Sequence, residues 1–166
     1  MAEISKFSLL YDAREDRLIV DTEDAEGGTT RLWLTQRLCR GLVGALVPML
    51  EKATASHMPP QAEEAVQSWE QAAAMQDFGK TPGVKVQADA TAGLVHTVHI
   101  SPGEDRIVLT FVLVGEETRA IGVTHQALRQ TLSVMHNLYV AAGWPREGWP
   151  DWIADPAALA PVGTVN

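Results

Sequence analysis

Cysteine is almost absent: Cys39 stands alone in 166 residues, so no disulfide can form within the chain. Cations are scarce too. Thirteen Lys+Arg face twenty-one Asp+Glu, giving a net charge of −8. Binding to nucleic acid or to an anionic membrane relies on clustered cations, and no basic run occurs, so neither partner is expected. No stretch reaches the ~18 apolar residues of a membrane helix. MAEISKFSLL has no apolar core behind a basic start, so no signal peptide is expected, and the lone thiol then points to the reducing cytoplasm. Signatures of chemistry are also missing. There is no GxSxG, GxxxxGK[ST], GxGxxG, HExxH or paired CxxC. What remains is an ordinary globular composition, 46% hydrophobic and 20% charged, long enough for one core.

The apolar residues then organise the chain. Phe7, Leu9 and Tyr11 alternate with polar neighbours and predict a strand. Leu18 to Val20 start a second strand that dissolves into the acidic run Asp21–Glu26, read as a solvated hairpin ahead of Gly27-Gly28. Arg31 to Leu34 form a third, and Thr35 suits the cap of a helix running to about Ala53. Pro48 is expected to kink or end its regular part. Residues 54–93 form a linker carrying a helix at about 61–77, with Ala62, Val66, Trp69, Ala73 and Met75 to Phe78 as its sparse apolar face. Strands follow at Val95–Ile100, Ile107–Val114 and Arg119–Val123. Thr124 caps a helix that Gly143 and Pro145 end.

These blocks resemble one another at an offset of 89. EDRLIV at 15–20 matches EDRIVL at 104–109, Thr35 matches Thr124, and Arg40 matches Arg129. Ordered self-similarity of this kind predicts a repeated unit. The expected fold is α+β: one domain over 1–166, with βββα units at 7–53 and 96–142, each an antiparallel sheet with helices packed on it. An inserted helix and a Trp-rich C-terminal extension at 143–166 complete it. Ile107–Val114 lacks alternation, so both its faces are expected to be covered, by the domain or by a partner.

Candidate sites are few. His96 and His99 point to opposite faces of a strand and make a poor metal pair. His96 and His136 could meet where helix packs on sheet. No catalytic residue, metal ligand or cofactor is assigned. Trp144, Trp149 and Trp152 fall within nine residues and offer either a clamp for the tail or a docking surface. With Leu42 on a helix apolar nearly all round and Val112 on the apolar strand, they suggest a homodimer, the commonest closed symmetry. The function expected is a non-catalytic interaction or regulatory module, acting on itself or on another protein. The alternative is a small-ligand-binding protein or enzyme with a pocket between helix and sheet.

Overall fold

The computed structural model describes residues 2–55, 59–76, 78–80 and 82–154. Six strands, β1 (Ala2–Asp12), β2 (Arg17–Asp24), β3 (Thr29–Leu34), β4 (Thr91–Pro102), β5 (Arg106–Leu113) and β6 (Thr118–Thr124), close into a barrel in sequence order. Helix α1 (Gln36–Ala55) follows β3, α2 (Glu63–Gln76) lies in the connection to β4, and α3 (His125–Ala142) follows β6.

An antiparallel sheet with helices packed on it, in duplicated βββα units, is not what forms. The strand triplets β1–β3 and β4–β6 are each antiparallel inside, but two parallel seams join them. Thr30 pairs with Thr91 across β3–β4, and Ala2 pairs with Arg119 across β1–β6. The result is one mixed barrel around one core. Gly93, on β4 opposite Leu32, leaves room for a β5 side chain: a Cβ there would collide with Cδ2 of the buried Leu113. Within this barrel some of the pairings recur 89 residues apart. Leu18↔Leu34 corresponds to Ile107↔Val123, and the seam pairs correspond likewise. The first hairpins do not: Leu9 faces Val20, whereas Val98 faces Phe111 and Leu109 faces Ile100, a shift of two residues. The Thr35 hydroxyl accepts from the Leu38 N–H (3.2 Å) and the Thr124 hydroxyl from that of Ala127 (3.1 Å), capping α1 and α3 alike.

Inward residues Phe7, Leu9, Leu18, Leu32, Leu109 and Phe111 meet Leu42 and Leu46 of α1 and Leu132 and Met135 of α3 in this core. A void of about 30 Å³ remains among them, so side chains, not a ligand, fill the barrel.

Several local expectations change. The acidic run is no solvated hairpin: Asp21 and Thr22 are buried on β2. Asp21 is held there by a two-bond fork from Arg31, 2.7 and 2.8 Å, and Thr22 donates to the Thr30 carbonyl. β5 alternates only in its first half, with Val108 exposed between buried Ile107 and Leu109; over Phe111, Val112 and Leu113 every residue is buried, so both faces are covered there. Helix α1 runs through Pro48. Pro48 and Gly44, the residue four before it, are both exposed, so the hydrogen bond that proline removes lies on the solvent side of the helix. Of the apolar face expected of α2, Trp69 (71% exposed) and Ala73 point outward and Val66 and Met75 are half-buried, while Phe78, just past the helix, packs against the core; Gln67, Gln71 and Ala74 face the body.

Past α2 the chain returns as a strap over β1. The Val84 N–H donates to the Ser8 hydroxyl (2.8 Å). Val84 is buried, Lys85 exposed and Val86 half-buried.

Candidate functional site

Three places concentrate side chains that could act: the tryptophan tail, a polar hub between the helices, and a groove beside α1.

The tail folds back on its own body. Trp144 packs edge-on against Tyr11 and Tyr139 (5.8 and 5.1 Å between ring centroids), and its indole N–H donates to Asp16 (2.7 Å). The Tyr11 hydroxyl donates to the same oxygen, and these two hydrogen bonds hold the Asp16 carboxyl below its usual pKa. Trp149 packs against His136 and Tyr139. Among the described residues the buried Tyr139 hydroxyl has no hydrogen-bond partner, and burial drives its pKa up. Trp152 is buried, donates to Glu51 (3.2 Å) and covers Arg129. All three indoles therefore clamp the tail to α1, α3 and the β1–β2 turn.

Arg129 centres the hub. It is 3% exposed, and its guanidinium donates to the Gln67 side-chain oxygen (2.6 Å), Glu70 (2.7 Å) and the Thr54 hydroxyl (3.1 Å). The Gln71 amide donates to the Arg129 carbonyl (3.2 Å), and Gln67 donates to the Glu51 carbonyl (3.3 Å). One arginine thus ties α1, α2, α3 and the tail together. In the sequence Arg129 stands out only as the match of Arg40. Gln67 and Gln71, spaced four apart on one helix face, were the available signal for a polar interface.

The third place is open. Between α1 and β4 runs a groove of about 800 Å³, with Leu38, Gly41 and Ala45 on one wall and Val98 and Ile100 on the other. Leu42 and Val95 are buried in its floor. Exposed Arg37 and His96 mark its rim, where His96 Nδ1 lies 2.9 Å from the Thr97 hydroxyl and Nε2 lies 3.8 Å from Glu116. A Cβ added at Gly41 or Gly44 would meet nothing within 4 Å. His136 stands elsewhere, buried on α3 under Trp149, so no site unites it with His96. Leu42 and Val112 are both buried within the protomer.

On another face of the molecule, between α3 and β1, other parts of the chain occupy the surface. Gln130 donates to the Ala74 carbonyl at the end of α2 (2.8 Å), Ser8 accepts from Val84 of the strap, and Tyr11 lies under Trp144. The insertion and the start of the tail thus cover the α3–β1 face, and the described residues leave the α1–β4 face uncovered.

Among the described residues, no three His, Cys, Asp or Glu side chains are placed to share a metal ion, and no helix is long and apolar enough to cross a membrane. No family model, no curated protein and no solved structure matches this chain.

Proposed function

We propose that this protein is a non-catalytic interaction module that receives an extended apolar segment of polypeptide in the groove between α1 and β4. One observation carries the reading. An open groove with walls of Leu38, Ala45, Val98 and Ile100 and a buried floor of Leu42 and Val95 lies between α1 and β4. An extended segment of this chain, the strap at Val84, lies over β1 of the same barrel, which supports a polypeptide occupant. The groove's size falls within the ~300–1,000 Å³ of ligand sites. Its floor is aliphatic and its polar groups stand at the rim, a lining that gains energy by burying apolar area. The net charge of −8 favours a segment carrying a cation, as the strap carries Lys85.

The test uses a fluorescein-labelled peptide of residues 82–87 and the full chain. Anisotropy should rise and saturate, and Gly41→Phe should weaken binding at least roughly tenfold by occupying the groove. Open space at Gly41 allows the new side chain without disturbing the core. Binding that Gly41→Phe leaves unchanged would place the peptide elsewhere and overturn the reading.

A further inference from the structure

The occupant can be named more closely, on the premise that the groove takes an extended segment. We infer that β4 of a second copy of this chain enters the groove and pairs antiparallel with the free edge of β4, about a twofold axis at His99.

The edge comes first. β3 and β4 pair only from Thr30↔Thr91 to Trp33↔Leu94. β3 then ends at Leu34 and the chain turns into α1, while β4 runs on to Pro102. Beyond Leu94, β4 keeps β5 on one side, and among the described residues no strand lies on the other. The groove occupies the place of that missing strand. The ladder fixes which groups face it. The Gly103 N–H donates to the Arg106 carbonyl and the Val114 N–H to the Leu94 carbonyl, both at 2.9 Å. By alternation Val108, Thr110 and Val112 then bond to their β4 partners Ser101, His99 and Thr97. Val98 and Ile100 stand between those positions, so they turn N–H and C=O away from β5 and into the groove. An unpaired row of this kind is a template for another strand.

The edge is also unguarded. β1 likewise outruns its parallel partner, past Glu3↔Ala120, but the strap lies over it at Ser8. On β4, no Lys, Arg, Asp or Glu occurs from Ala90 to Gly103, so the charges that usually blunt an edge are missing. Two copies can meet along this run without like charges touching. The net charge of −8 opposes them only at long range, where salt screens it.

A second copy fits by register and by charge. His96 sits at a shift in the β4–β5 register, so Val98 and Ile100 are the regular positions. Setting Val98 of each copy opposite Ile100 of the other lets all their outward groups bond, and places the two His99 residues face to face. Opposite residues share a face of the sheet, so Val98 and Ile100 of the second copy enter the groove beside Leu38, Gly41 and Ala45. The same register brings the exposed Glu104-Asp105 turn of the second copy to the Leu94 end of the groove. There Arg37 lines the mouth, in the first turn of a helix that has no acidic residue in that turn. Arg106 of that turn reaches Gly122 on β6 instead, and Glu116 on the groove's rim is turned to His96. Twofold symmetry makes the contact of carboxylates with Arg37 twice.

The full chain should sediment at twice its mass at micromolar concentration, and Gly41→Phe should return it to monomer. Disulfide trapping reads the register. The two His99 Cα atoms would stand ~4.5 Å apart, within the ~4.4–6.8 Å that a disulfide spans. Ser101, exposed on the same face of β4, would be ~13 Å from its copy. Oxidised by glutathione disulfide, His99→Cys should therefore link into a covalent dimer at least roughly ten times faster than Ser101→Cys. The linked dimer should bind the labelled 82–87 peptide at least roughly tenfold more weakly than the same variant reduced and diluted to monomer. A monomer throughout overturns the inference, and so does a dimer in which Ser101→Cys links as fast or neither variant links. The peptide separates this from the functional reading. A monomer that binds the 82–87 peptide, and loses it on Gly41→Phe, defeats the inference alone. A monomer that binds none defeats the functional reading as well.

Discussion

The Arg129 guanidinium lies 5.0 Å from the centre of the Trp152 ring, so the most buried cation of the helical layer is roofed by the tail. This contact makes a residue outside the barrel part of the same cooperative unit as α2. The guanidinium has lost water on every side and is compensated by Glu70, Gln67, Thr54 and the indole face.

Truncating Arg129 should therefore be costly. Arg129→Ala leaves Gln67 and Glu70 facing an emptied, buried site. Hydrogen bonds to charged groups are worth about 1.5–3 kcal/mol, and Glu70 keeps some access to water, so a loss of about 2–3 kcal/mol is expected in urea unfolding. Arg40→Ala, at the exposed counterpart on α1, should stay within about 0.5 kcal/mol. Equal effects at both positions would show that the hub contributes nothing beyond a surface arginine.

Packing of β5 against β4 should depend on Gly93. A Cβ there would collide with the Leu113 side chain, which is buried. Gly93→Ala should destabilise by about 1–3 kcal/mol, the usual cost of overpacking. Gly41→Ala adds a Cβ into open space in mid-helix and should stabilise by up to about 1 kcal/mol. Thermal midpoints of the two variants should move in opposite directions, and a neutral Gly93→Ala would remove this account of the Leu113 contact.

How far the sequence could be read follows from what each residue advertises. Alternation in Phe7, Leu9 and Tyr11, caps at Thr35 and Thr124, and the stop at Gly143 are local signals, and the elements stand where those signals put them. Closure is not local. The parallel pairs Thr30↔Thr91 and Ala2↔Arg119 join residues with no shared pattern, so the sheet was expected open and antiparallel. Asp21 read as solvated because its acidity is visible and the Arg31 fork is not. The groove was equally hidden. Gly41 and Ala45 promised a close neighbour, and only the fold shows that the wall opposite them is Val98 and Ile100.

Cys39 should be a silent thiol. It is fully buried on α1, and burial raises its pKa to about 12, so the reactive thiolate is scarce at neutral pH. Reaction with a disulfide reagent should be negligible in the native protein and rapid in urea, giving a direct measure of unfolding. Rapid modification before the unfolding transition would mean that α1 opens locally.

His136 should make stability depend on pH in a narrow, mildly acidic window. Its ring is buried against Trp149, 5.2 Å between centroids, and its pKa is lowered first by burial and then by the positive charge of Arg146. In the unfolded chain the group titrates near ~6.5, above its native value. Above that pH both states carry a neutral ring and contribute no slope. As the pH falls below ~6.5 the unfolded state binds the proton first, so stability declines until the native pKa is passed and then levels off. The carboxylates of Asp12 and Asp16, whose native pKa values are lowered, add their own loss only near and below pH 3.8, outside this window. Urea midpoints measured between about pH 7.5 and about pH 5 should therefore fall in the wild type, and His136→Gln, which cannot take the proton, should flatten that fall. An unchanged slope in His136→Gln would assign the acid sensitivity to other groups and show that the ring under Trp149 accepts a proton as readily folded as unfolded.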